Sequence, residues 1–232
     1  MPVPSPESPT PVPAASLSPC RVKICGVTQR DQALAIAEMG ADFLGLNFWP
    51  QSKRYLKPEE AAAWSREVPA STLLVGVFVN AESTHVAEVA KAARLAYVQL
   101  HGDESPAYAA ELTARGLRVI KAIQVRDEDS VTATGGYAVQ DVLLDAYHPG
   151  ERGGIGEKFP WEMALKFKTQ FPDRALWLAG GLAPANVGEA VHGVQPYAVD
   201  VASGVEDGTP GVKNLEKVQA FIAGAKSKQK VV

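Results

Sequence analysis

Short apolar, β-branched runs alternate along this chain with longer segments whose apolar residues recur every three to four positions, and the alternation persists from Arg21 almost to the end. Residues 22–25 read as a first strand and 28–39 as a helix closed by Gly40, with Thr28 as its N-cap and Asp31 three positions on, close to a capping box. Further strands are expected over 42–48, 73–79, 95–100, 118–124, 142–146, 175–179 and 198–201. Helices are expected from Pro58, over 83–93 and 105–115, after Asp127, near Pro160-Trp161, after Pro184 and over 214–223. Pro58 suits the first turn of its helix, where a missing N–H costs nothing.

Eight β-then-α units within residues 21–225 predict an α/β fold, a single (β/α)8 TIM barrel with eight parallel strands. A doubly wound open sheet is the runner-up. It would bring a glycine-rich dinucleotide fingerprint after the first strand, where Cys25-Gly26-Val27 offers only one glycine. Residues 1–20, rich in Pro and Ser, read as a disordered tail without a signal-peptide pattern, and 226–232 as a solvated C-terminal tail.

Composition narrows the partners. The formal net charge is -3 and no long basic run occurs, so neither nucleic acid nor an anionic membrane surface is the expected partner. The longest apolar run, residues 72–79, is far shorter than a spanning helix needs. Two cysteines, Cys20 and Cys25, cannot form a disulfide framework, and the four histidines lack zinc-ligand spacing, so no metal is expected and the cytoplasm fits best. A small soluble molecule is the expected partner.

In a barrel of this kind chemistry belongs at the carboxyl ends of the strands. Lys23 and Cys25 share one face of the first strand, and a lysine is poorly suited to the helix-facing side, so both are expected to point inward. The lysine charge would then favour the thiolate and lower the cysteine below its usual range of about 8.5. An isolated cysteine is more often a small structural residue; the lysine neighbour counts against that here. Asp145 ends the apolar run Val142-Leu143-Leu144, at the edge of a water-poor interior that suits a general acid, although a strand-end aspartate can also cap the next loop.

Gln99 and His101 share a face at the fourth strand end and suit substrate orientation rather than the chemistry itself. Glycines after the seventh and eighth strands, in Ala179-Gly180-Gly181-Leu182 and Ala202-Ser203-Gly204-Val205, predict a phosphate site made by backbone N–H groups. The glycine-rich loop 150–156 follows Asp145. Arg54, in the polar loop 50–55, has the planar fork that best suits a carboxylate, though surface arginines are commonly just solvated.

Taken in order, Lys23-Ile24-Cys25-Gly26, Ser52-Lys53-Arg54-Tyr55 after Asn47-Phe48, Val98-Gln99-Leu100-His101-Gly102, Leu143-Leu144-Asp145-Ala146 with Gly153-Gly154-Ile155-Gly156, Leu178-Ala179-Gly180-Gly181-Leu182 with Asn186-Val187, and Asp200-Val201-Ala202-Ser203-Gly204-Val205-Glu206 resemble the phosphoribosylanthranilate isomerase family. The resemblance implies an Amadori rearrangement of N-(5-phosphoribosyl)anthranilate in tryptophan biosynthesis, with no cofactor; the sequence is compatible with a monomer or a homodimer. It implies Asp145 as the acid that opens the furanose ring and Cys25 as the base that takes the C2′ proton. Arg54 would hold the anthranilate carboxylate, Gly154, Gly180, Gly181, Ser203 and Gly204 the phosphate, and Asp200 would also contact substrate. Related sugar-phosphate barrels would share the phosphate loops but place other residues where Cys25 stands, and a non-catalytic metabolite sensor would have no use for Cys25 and Asp145 together.

Overall fold

The computed structural model describes residues 20–146 and 160–227. Eight strands alternate with eight helices: β1 (Arg21–Cys25), α1 (Arg30–Glu38), β2 (Phe43–Asn47), α2 (Pro58–Trp64), β3 (Leu73–Phe78), α3 (Ser83–Ala92), β4 (Tyr97–Leu100) and α4 (Pro106–Ala114) form the first half. The second half comprises β5 (Val119–Val125), α5 (Glu128–Thr132), β6 (Asp141–Ala146), α6 (Trp161–Gln170), β7 (Ala175–Leu178), α7 (Val187–Val194), β8 (Ala198–Val201) and α8 (Leu215–Lys226). Neighbouring strands pair parallel in sequence order and β8 returns to β1, so the sheet closes into the expected barrel and leaves no edge.

Alternation along each strand sorts the side chains into two sets. On β1, Val22 and Ile24 are fully buried against the helical layer, whereas Lys23 and Cys25 face the interior. The lower interior is apolar and aromatic: Phe43, Tyr97 and Trp177 meet with ring centroids 4.5 to 5.8 Å apart, filled in by Val75, Ile120, Leu143 and Ala198. Trp177 Nε1 donates to the buried Asp141 carboxylate at 2.9 Å, which satisfies the one polar atom of the indole.

Local signals decide most helix starts. Pro58 and Pro106 stand at the openings of α2 and α4, and Ser105, Asp127 and Asn214 accept cap hydrogen bonds from Tyr108, Ser130 and Lys217. The first helix departs from expectation. It begins at Arg30, its N-cap is Gln29 without a side-chain bond, and Thr28 Oγ1 instead donates to the Gly211 carbonyl at 2.8 Å. A tertiary acceptor has taken the hydroxyl from the local cap. At the other end, α8 runs through Lys226, an exposed residue whose ammonium binds Asp42 and the Gly40 carbonyl.

Candidate active site

A cavity open at its mouth occupies the carboxyl end of the barrel. It is lined by residues from both ends of the chain, among them Cys25, Arg54, Gln99, His101, Asp145 and Asp200. Gly180, Gly181, Ser203 and Gly204 line it as well, so the structure brings together every expected site residue except Gly154. Gly154 and the loop 150–156 lie outside the described residues.

The floor is a chain of polar contacts across the barrel. Lys23 Nζ, fully buried, donates to Gln99 Oε1 at 2.9 Å and to Asp200 Oδ2 at 3.0 Å. An ammonium can only donate, so Gln99 turns its oxygen to Lys23 and its amide N–H to His101 Nδ1, 2.9 Å away. Neutral His101 then carries its proton on Nε2, which faces Asp145 Oδ2 at 3.6 Å. The other oxygen of Asp145 accepts from the Ala146 N–H at 2.9 Å. Asp200 Oδ1 is buried and has no hydrogen-bond partner among the described residues.

Charge compensation in this chain changes the reading of Cys25. Burial is the largest influence on the thiol and pushes it above its ordinary value, with Asp200 adding to the push and Lys23 and Lys213 opposing it. The expected lowering by Lys23 is present but outweighed by burial. Asp200, whose charge adds to the upward push, sits directly opposite Lys23 in the β1–β8 register. Burial works against charge on Lys23, but Asp200 and Cys25 outweigh it and raise the lysine above its usual range. Burial also pushes the Asp200 carboxyl upward against the pull of Lys23, with Asp145 contributing in the same direction.

Small residues make room for these groups. A Cβ on Gly45 would lie 2.7 Å from Cys25 Sγ, so the glycine on β2 leaves the sulfur its seat. Gly180, at φ 86°, combines a left-handed backbone with an approach that a Cβ would block, 2.7 Å from the Ala146 nitrogen. Asn186 braces this turn, accepting from the Ala183 N–H and donating to the Gly181 carbonyl. A Cβ on Gly204 would meet the Leu182 carbonyl at 2.0 Å, so the β7 and β8 loops touch backbone to backbone.

The loop after β2 is equally tied down. Asn47 Nδ2 donates to Ser52 Oγ, which accepts from the Arg54 N–H, and the Trp49 N–H donates to Asn47 Oδ1. Arg54 lines the cavity but is not an isolated cation: its Nε and Nη2 donate to Glu206 Oε1 and Oε2 at 2.9 and 2.6 Å. Glu206 closes the 200–206 motif, which by itself marks no task for it, and Lys213 belongs to none of the motifs. Neither lies near Arg54 in the chain.

Among the described residues no helix is long and apolar enough to cross a membrane, and no group of three or more His, Cys, Asp or Glu side chains is arranged to hold a metal ion. Residues 22–224 match the family model described as N-(5'phosphoribosyl)anthranilate (PRA) isomerase. A protein of Citrifermentans bemidjiense named N-(5'-phosphoribosyl)anthranilate isomerase is 50% identical over 206 residues, covering 89% of this chain and 97% of that protein. The crystal structure of phosphoribosyl anthranilate isomerase from Thermotoga maritima superposes with a TM-score of 0.82 at 42% identity, covering 89% of this chain and 98% of that one. Another phosphoribosyl anthranilate isomerase structure, in complex with reduced 1-(o-carboxyphenylamino)-1-deoxyribulose 5-phosphate, gives a TM-score of 0.79 at 40% identity, with coverage of 89% and 98%.

Proposed function

The chain belongs to the N-(5'phosphoribosyl)anthranilate isomerase family, and from that premise we propose how its residues divide the work of the reaction. The enzyme is an aldose-ketose isomerase of tryptophan biosynthesis, converting N-(5-phosphoribosyl)anthranilate to 1-(o-carboxyphenylamino)-1-deoxyribulose 5-phosphate. The observation that carries the assignment is that Cys25 and Asp145 line one cavity, together with Arg54, Gln99, His101 and Asp200.

Asp145 donates a proton to the furanose ring oxygen, the C1′–O bond breaks, and the ring opens to a protonated Schiff base. Cys25, as thiolate, takes the C2′ proton, and the electron pair left on C2′ neutralises the iminium to give an enolamine that tautomerises to the ketone. The cationic Schiff base both acidifies C2′–H and favours the thiolate, so the base acquires its charge when the substrate needs it. His101, with Nε2–H toward Asp145, steadies the carboxylate left after ring opening.

Arg54 pairs with the anthranilate carboxylate, the N–H groups of the loops at Gly180–Gly181 and Ser203–Gly204 hold the phosphate, and the open oxygen of Asp200 accepts a sugar hydroxyl. Every one of these groups belongs to a single chain, so turnover requires no second copy, and monomer and homodimer both satisfy the mechanism. The cytoplasm is the compartment that suits its two unpaired thiols. Assaying purified protein with freshly generated phosphoribosylanthranilate tests the assignment: anthranilate-type fluorescence should fall as substrate is consumed, and binding without that fall would overturn it.

A further inference from the structure

We propose that Glu206 is the positioning residue that makes Arg54 a carboxylate receptor, and so confers the preference for a carboxylated aryl amine over an uncharged one. The proposal rests on the reading of Arg54 as the group that meets the anthranilate carboxylate.

Arg54 reaches the cavity on a long stem from a loop, and a side chain of that length is a poor receptor if it must first be ordered by its ligand. Glu206 does that ordering beforehand, through the two-point contact of its carboxylate with Nε and Nη2. A planar guanidinium gripped along this edge has its plane and direction defined, and its Nη1–Nη2 edge is the one whose geometry suits a second carboxylate.

Glu206 is itself held from elsewhere. Its Oε1 accepts from the Gly211 N–H at 2.9 Å and from Lys213 Nζ at 2.6 Å, and Gly211 is fastened through its carbonyl to Thr28 Oγ1. Glu206 and Lys213 are buried and do not line the cavity, so they act on a ligand only through Arg54. Burial disfavours the Glu206 charge, but Arg54, Lys213 and the Gly211 N–H override it and hold the carboxyl below its ordinary value. The Glu206 carboxylate therefore sits between two cations, Arg54 and Lys213.

The opposite wall completes the seat. Gly26 has φ 73°, and a Cβ there would lie 2.3 Å from Arg54 Cδ, so the stem passes through the space where any other residue would carry its side chain. The receptor is thus assembled from the loops after β8, β1 and β2, three strands that are adjacent only because the barrel closes.

The test compares two ligands on full-length protein by calorimetry: the reduced product analogue that carries the aryl carboxylate, and its counterpart built on aniline. Glu206→Gln is expected to weaken the carboxylated ligand by roughly tenfold while leaving the aniline ligand within about twofold. In turnover the loss should appear in KM more than in kcat. Glu206→Asp keeps the charge that Lys213 needs but shortens the reach to Arg54; it should weaken the carboxylated ligand by about threefold, and it serves as the second variant if the glutamine protein is unstable. Equal weakening of both ligands, or of neither, would overturn the proposal. Arg54→Ala separates the two ideas: if it fails to discriminate the ligands, the reading of Arg54 falls and the proposal with it, whereas discrimination by Arg54→Ala without discrimination by either Glu206 variant sinks the positioning role alone.

Discussion

The two ends of the barrel interior are built on the same alternation and from opposite chemistries. Toward the amino ends of the strands, Phe43, Tyr97 and Trp177 interlock as a dry plug. Toward the carboxyl ends the positions that would continue the plug are Lys23, Gln99, Asp145 and Asp200, with Gly45 and the alanines Ala122 and Ala179 beside them. The plug gains stability from area removed from water, while the polar layer must first overcome the desolvation of its charges and recovers that cost only through complete pairing. The contrast teaches that the aromatic plug holds the barrel closed so that the polar layer above it can keep groups which contribute little to stability.

This contrast is sharp enough to break. Phe43→Ala should cost about 3–5 kcal/mol of folding free energy, read from urea unfolding, while kcat per folded molecule stays within about twofold; a large kcat loss at normal stability would show that the plug is not separate from the site. The rim should behave in reverse. Cys25→Ala and Asp145→Asn are each expected to lower kcat by roughly 10²-fold or more, about 2.7 kcal/mol in barrier, with the unfolding midpoint nearly unchanged. Near wild-type turnover in either variant would remove that residue from its proposed role.

The smallest effect comes from pH. Since the fold holds the Cys25 thiol above its ordinary value, the neutral thiol dominates at low pH and the thiolate grows as pH rises, by at most about tenfold per unit until the group titrates. On the acidic limb kcat/KM should climb with pH, and in a Cys20→Ser background the rate of alkylation of Cys25 by iodoacetamide should climb in parallel. An alkylation rate that stays flat across the neutral range would mean a thiolate already formed, as the sequence alone suggested.

Much of the scaffold was legible because its causes are local. The inward face shared by Lys23 and Cys25 follows from the two-residue period of a strand, and the loops at Gly180–Gly181 and Ser203–Gly204 follow from residue type and position at strand ends. Failures occurred where a distant partner competed for a side chain. Thr28 had the chemistry of an N-cap but found the Gly211 carbonyl, 183 residues away. Arg54 had the form of a carboxylate receptor, and the sequence around it contains no sign that Glu206, 152 residues on, already grips one edge of its guanidinium.

Cys25 shows where the division lies. Its place at a strand end, its inward direction and its proximity to Lys23 were determined by the sequence, since the pleat fixes neighbours two residues apart. Its electrostatic setting was decided only in the tertiary structure, where closure of the barrel sets Asp200 opposite Lys23 and partial burial pushes the thiol above its ordinary value. Periodicity is a property of a single strand, but electrostatic compensation belongs to whichever charges the closed ring brings within a few ångströms of one another.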